Sequence, residues 1–206
     1  MNPIKTITTA QITTLLRHLE ASNGTSHQRR LGMRNVAIAL LMLDAGLREN
    51  EVSHLLVADL YWQGIPRETI EIRPEIAKYH VGGQIPTSIP LRAALTEYAI
   101  AWMPPNTVAP HDWAFRSYNI VYRISTRQIR RMIHNAGTIA LGIELNAHML
   151  RHTFIDRLRR CTDLPTVQRL ARHKDIRSTM IYTHPAQTEM AAAIASMSAP
   201  TQERTK

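Results

Sequence analysis

The chain has 206 residues, of which 44% are hydrophobic, enough for one domain with a substantial core and too many for a wholly disordered chain. A single cysteine excludes a disulfide framework, no apolar run approaches the ~20 residues that span a bilayer, and Met1-Asn2-Pro3-Ile4-Lys5 lacks the basic-then-apolar layout of a signal peptide. The formal charge is +9, with 25 Lys and Arg against 16 Asp and Glu, and the expectation is a soluble, cytoplasmic protein with an anionic partner.

Thr8 or Thr9 can cap a first helix through Ile12, Leu15, Leu16 and Leu19, which recur at helical spacing. Residues 21–31 are polar, contain Gly24 and read as a loop. Residues 33–45 are strongly apolar, the composition of a buried helix, and Gly46 is a natural stop. A short helix over 49–56 follows. Residues 69–73 (Thr-Ile-Glu-Ile-Arg) alternate as a strand does, and 84–89 can return antiparallel after a Gly82-Gly83 turn, with Pro90 ending the sheet. Residues 91–103 form an amphipathic helix stopped by Pro104-Pro105. Ser125 caps a basic helix reaching residue 140, and 147–161 and 165–172 supply two more. A last helical piece carries Met180-Ile181-Tyr182. The tail over 185–197 is alanine-rich and helical, and 198–206 reads as disordered. The fold class expected is mainly α (α+β), with one small antiparallel sheet inserted in the N-terminal part.

The positive charge is unevenly placed. Residues 116–177 hold 13 basic and 4 acidic side chains, whereas the rest of the chain holds 12 of each. Most of the excess is arginine, whose planar fork matches phosphate. A basic stretch on a neutral scaffold is the pattern of a phosphodiester-binding face; a solvated helical surface has the same composition. Arg116, Arg123, Arg127, Arg130, Arg131, Arg172 and Lys174 are the candidates for contact with DNA.

Three motifs carry candidate chemistry. In Ala45-Gly46-Leu47-Arg48-Glu49-Asn50-Glu51-Val52, an arginine follows a helix stop and Glu51 lies three residues on, on the same face. In His148-Met149-Leu150-Arg151-His152, His148 and Arg151 point the same way, a pairing suited to an anionic substrate. His148 and His152 also have the i, i+4 spacing of zinc ligands, but Met149 follows His148, so the zinc-protease motif is absent and no metal is expected. Leu170-Ala171-Arg172-His173-Lys174 and Met180-Ile181-Tyr182-Thr183-His184 complete the set.

In order along the chain, Arg48, Lys78 in a β-hairpin, His148-x-x-Arg151, His173 and Tyr182 resemble the tyrosine recombinase, or phage integrase, family. The resemblance covers nearly the whole chain, and the absence of a long N-terminal lead makes it similar to the short fimbrial phase-switch recombinases. It implies a catalytic domain over 1–187, a C-terminal helix and disordered tail over 188–206, and no N-terminal core-binding domain. Departures are Leu-Ala-Arg-His where Leu-Gly-His is usual, Glu-Asn-Glu after Arg48, and a longer hairpin after Lys78.

The resemblance further implies site-specific DNA cleavage and rejoining through a 3′-phosphotyrosine link, for integration, excision or inversion, with neither metal nor other cofactor. Tyr182 would be the nucleophile and His148 its base or orienting group. Arg48, Arg151 and His173 would hold the phosphate, Lys78 would protonate the leaving 5′ oxygen, and Glu51 would buttress Arg48 or His148. The implied partners are double-stranded DNA with inverted-repeat recombination sites, further copies of the chain in a tetramer on two such sites, and accessory DNA-bending proteins. A non-catalytic DNA-binding regulator and a type IB topoisomerase are the alternatives.

Overall fold

The computed structural model describes residues 5–20, 24–103, 108–117 and 122–172. Helix α1 (Thr9–Glu20) starts at a reciprocal cap, in which the Gln11 amide donates to Thr8 Oγ1 at 3.2 Å and the Thr8 amide donates to Gln11 Oε1 at 2.9 Å. Ile12, Leu15 and Leu19 form its buried stripe. Helix α2 (Ser26–Leu43) begins well before the expected start at residue 33. The stretch read as a loop contains a second reciprocal cap, Thr25 with Gln28 at 2.7 and 3.3 Å, and its polar residues lie on an exposed first turn. Gly32 permits this, because a Cβ there would lie 2.1 Å from the Glu20 carbonyl oxygen at the end of α1.

The apolar part of α2 is the core of the molecule. Every residue from Ala37 to Leu43 is buried, and the helix packs against α1, α5 (Ile89–Trp102) and α7 (Ala147–Arg159). The expected stop at Gly46 is found. Gly46 has φ +62°, and the Leu47 amide returns to the Leu41 carbonyl at 3.0 Å. Two short helices follow, α3 (Glu49–Ser53) and α4 (Val57–Leu60), where one over 49–56 was expected.

Two antiparallel ribbons replace the single expected sheet. Strands β1 (Tyr61–Trp62) and β2 (Ile65–Pro66) are joined by Gln63-Gly64, both at positive φ, as a tight hairpin requires. Strand β3 (Thr69–Ile72) pairs with β4 (Gly83–Pro86), Thr69 opposite Pro86 and Ile72 opposite Gly83. Ile70, Ile72 and Ile85 face the core. Gly82-Gly83 is not the reversal: residues 73–82 make it, through a 3₁₀ turn at Lys78–His80. Pro90 belongs to the first turn of α5, which Ser88 caps, so this proline starts the helix as well as following the sheet.

Helix α6 (Thr126–Leu141) is capped by Ser125 and ends at Gly142; α7 is capped by Asn146 and α8 (Leu164–Ala171) by Asp163. Phe154, Ile155, Val167 and Ala171 form a small second core between α7 and α8. Among the described residues no helix is long and apolar enough to cross a membrane. The expected stop at Pro104-Pro105, the helical pieces over 180–182 and 185–197, and the 198–206 tail lie outside the described residues.

Candidate active site

Glu51 is the centre around which the site is built. It is the third residue of α3 and is almost fully buried, at 1% exposure. Its Oε2 accepts the Arg48 backbone amide at 2.8 Å, and its Oε1 accepts Arg48 Nη1 at 2.8 Å. The carboxylate therefore caps α3 and fixes the Arg48 side chain together, as the Arg48–Glu51 spacing anticipates. A third donor comes from far along the chain: Arg172 Nη2 reaches Glu51 Oε2 at 2.6 Å. Two guanidiniums on one carboxylate leave the cluster net positive, in a place where desolvation strengthens its field.

Arg172 terminates α8 in the left-handed region, at φ 52° and ψ 48°, a conformation that costs a non-glycine residue ~1–2 kcal/mol. It was expected with the DNA-facing surface arginines; the structure places it inside, with 4% of its side chain exposed. Burial pushes its guanidinium below the ordinary arginine value, although Glu51 acts in the opposite sense. Among the described residues, its Nε and Nη1 are buried without a hydrogen-bond partner, each a desolvated donor that costs ~1–3 kcal/mol.

Arg151, on the first turns of α7, is also buried. Its Nη1 donates to the Gly46 carbonyl and its Nη2 to the Ala171 carbonyl. One side chain thus ties the turn before Arg48 to the end of α8. Phe154, one turn on, lies against Gly46, where a Cβ would meet its ring at 2.3 Å. Glycine at 46 is required by this contact as well as by its φ.

Lys78 lies in the reversal of the β3–β4 hairpin. Its Nζ is 4.9 Å from the centre of the Tyr79 ring, and both side chains are exposed. Gly83 of β4 backs onto the stem of Arg172, since a Cβ there would sit 3.7 Å from Arg172 Cδ. Between the β3–β4 hairpin and α8 runs a groove of about 550 Å³ lined by Gly82, Gly83, Gln84, Gln168 and Arg172.

His148 is exposed on the first turn of α7, and its ring centre is 6.0 Å from that of half-buried His152. Burial lowers the His152 pKa, and the neighbouring His148 and Arg151 add to that effect. Beneath His148, Glu49 accepts Arg130 Nη2 at 2.9 Å. Burial works to raise the Glu49 pKa, but the Arg130 hydrogen bond, its own backbone and the charges of His148 and Arg130 outweigh it, and the net direction is down. Among the described residues no three His, Cys, Asp or Glu side chains gather as a metal site would need.

The basic surface is not uniform. Arg127, Arg130 and Arg131 are exposed along α6. Arg116 and Arg123 form an antiparallel bridge to each other and are half-buried. Arg116 pairs with Asp112 at 3.0 Å; Arg123 donates to Ser53 Oγ and lies 5.8 Å over the Trp113 ring. His173, Lys174 and Tyr182 lie outside the described residues. The structure therefore gathers Arg48, Glu51 and Arg151 around the end of α8, with the Lys78 hairpin and His148 flanking them. Sequence reasoning missed the Arg172–Glu51 pair; the signal for it was an arginine where Leu-Gly-His has glycine.

Residues 5–189 match the model of the phage integrase family. The chain belongs to that family. Among its relatives, the tyrosine recombinase XerC of Pseudomonas aeruginosa is 32% identical over 170 residues, which is 82% of this chain and 53% of XerC. This phage integrase family member thus spans about half the length of the curated relatives it matches. Its fold is similar to the crystal structure of XerA recombinase, with a TM-score of 0.71 and 21% identity over 95% of this chain and 66% of XerA. It is equally similar to XerH site-specific recombinase bound to its difH substrate in a pre-cleavage complex, with a TM-score of 0.71 and 18% identity over 96% of this chain and 55% of XerH.

Proposed function

We propose that this chain is the catalytic domain of a site-specific recombinase that cuts and rejoins double-stranded DNA through a 3′-phosphotyrosine on Tyr182. The observation that carries the reading is the convergence of Arg48 and Arg151 on the end of α8, with Glu51 holding the first and two backbone carbonyls the second. Phosphoryl transfer asks for preorganised donors where negative charge grows, and guanidiniums locked by a protein framework need not reorganise when it does.

In the forward step the Tyr182 oxygen bonds to phosphorus and the P–O5′ bond breaks. His148 takes up the phenolic proton or orients the phenol, which at its free pKa of about 10 is a poor nucleophile. Lys78 gives a proton to the departing 5′ oxygen. Arg48, Arg151 and His173 stabilise the non-bridging oxygens. The phosphotyrosine link keeps the energy of the broken bond, so a second 5′-hydroxyl can attack it, the tyrosine leaves, and strands are exchanged.

The basic residues Arg127, Arg130 and Arg131, with Arg116, Arg123 and Lys174, supply phosphate contacts that set the register of the duplex. The substrate we assign is paired inverted-repeat sites held by a tetramer, in the cytoplasm at the nucleoid, for integration, excision or inversion. Incubation with a nicked suicide duplex tests this reading: wild type should form a covalent adduct and Tyr182→Phe should bind without forming one. Binding without an adduct in wild type would mark a regulator, and site-independent relaxation of supercoils by a monomer would mark a topoisomerase.

A further inference from the structure

Arg172 has three properties that ending a helix does not require. Its backbone is at φ 52°, where glycine is the unstrained choice. Its guanidinium is buried, with one nitrogen committed to Glu51 at 2.6 Å. Its other two nitrogens are buried and unpartnered among the described residues. A glycine would avoid all three. Strain and unmet hydrogen-bonding capacity in one side chain are the marks of a residue kept for a ligand.

Its place indicates which ligand. Glu51 holds Arg48 as well as Arg172, and the carbonyl of Ala171, the preceding residue, receives Arg151. Arg172 thus lies between the two guanidiniums assigned to the scissile phosphate. Its stem lies under Gly83, and it lines the groove beside the hairpin that carries Lys78. The phosphorane-like transition state carries more negative charge than the diester, so a further fixed donor acts on the step and not only on binding.

We propose that Arg172 is a third catalytic arginine, which donates from Nη1 to a non-bridging oxygen of the scissile phosphate while Glu51, held by Nη2, fixes its plane. The proposal rests on the recombinase reading above and adds to it a donor that glycine at this position cannot supply. Glu51 then orients two cations toward one anion, and the planar guanidinium, with one arm on Glu51 and another for the phosphate, rather than charge alone, is what the site uses.

Single-turnover cleavage by the full chain tests it, on a nicked duplex whose site has been selected from random DNA with the Tyr182→Phe protein. A matched duplex carries a neutral methylphosphonate at the scissile position. Arg172→Gly suits the left-handed backbone and leaves Glu51 paired with Arg48, so the protein should stay folded and duplex affinity near wild type. Its cleavage of the phosphodiester should fall about 10²-fold, the scale of one lost transition-state donor. Arg172→Lys, which keeps the charge on Glu51 but not the fork, should remain at least about 10-fold slow on the same scale. On the methylphosphonate, the gap between wild type and Arg172→Gly should shrink, because one non-bridging oxygen and one negative charge have been removed. An undiminished rate in Arg172→Gly overturns the proposal. So does full recovery in Arg172→Lys, which would make Arg172 a positioning cation, or an equal loss on both duplexes, which would make it structural. No adduct from wild type overturns the recombinase reading itself, and this proposal with it.

Discussion

With glutamine in place of Glu51, Arg48 and Arg172 lose their shared counter-charge while both remain where the fold has put them. Breaking a buried pair from one side costs ~3–5 kcal/mol, because the remaining charge is stranded. Glu51→Gln should lower the urea midpoint accordingly and slow cleavage more than duplex binding. An unchanged midpoint would mean that the two guanidiniums find other partners. Glu49 is a gentler case. Its folded pKa is held below 4.5 and that of His152 below 6.5, so both contribute stability above their unfolded values that is lost as pH falls through the folded ones. Stability should therefore drop from about pH 6.5 downward, first with His152 and then with Glu49. Asp59, whose pKa burial raises, acts in the opposite sense. The part of the acid slope that belongs to Glu49 is the part that Glu49→Gln abolishes, and urea unfolding at pH 7 and pH 4 measures it.

At the scale of elements, the turn at Gly46 and the hairpin carrying Lys78 decide how the side chains are presented. Gly46→Ala would have to hold φ +62° against the Phe154 ring. The left-handed penalty alone is ~1–2 kcal/mol, and displacement of the ring adds to it. Chemical denaturation should show the loss, and cleavage should fall with it because Arg151 is anchored on the Gly46 carbonyl. Lys78 sits on an exposed 3₁₀ turn. Lys78→Ala should be slow on normal DNA and largely rescued on a 5′-bridging phosphorothiolate, whose thiolate leaves without a proton. An equal defect on both strands would assign the acid to another residue.

Elements with a long apolar period and a clear cap were legible in the sequence. Helix α6 has both, from Ser125 to the left-handed Gly142, and its expected end lies one residue from the observed one. The first turns of α2 were not legible, because Ser26, His27, Gln28, Arg29 and Arg30 carry no apolar stripe, and only the Thr25–Gln28 cap marks them as helical. The β1–β2 ribbon has two residues per strand, too few for alternation to show. In the site, Arg48, Glu51 and Arg151 were legible because each belongs to a local spacing pattern. The Arg172–Glu51 pair was not, because its partners stand 121 residues apart and no local pattern reports such a distance.

At the scale of the whole molecule, the proposed tetramer needs contacts between copies. Residues 189–197 are rich in Met and Ala, and Met190, Ile194 and Met197 share a helical spacing. A helix of that length is marginal alone, and we propose that these residues form one that docks on a neighbouring copy, which adds avidity to the DNA contacts of each subunit. Deleting residues 186–206 should leave a folded protein that binds single sites but has lost cooperative binding to paired sites. Mobility-shift titrations read this directly, and full cooperativity in the truncated protein would refute the docking role.

Arg151 hooks a carbonyl 105 residues upstream, and Arg172 reaches a carboxylate 121 residues upstream. Contacts of such span form late, since the loop they close must be ordered first. On the ribosome, Arg48 and Glu51 are made long before Arg151 and Arg172, so the proposed phosphate cradle lacks half of its residues until α7 and α8 follow. On the recombinase reading, the order of synthesis is itself a safeguard: the ability to break the duplex arrives only after α8 has been made.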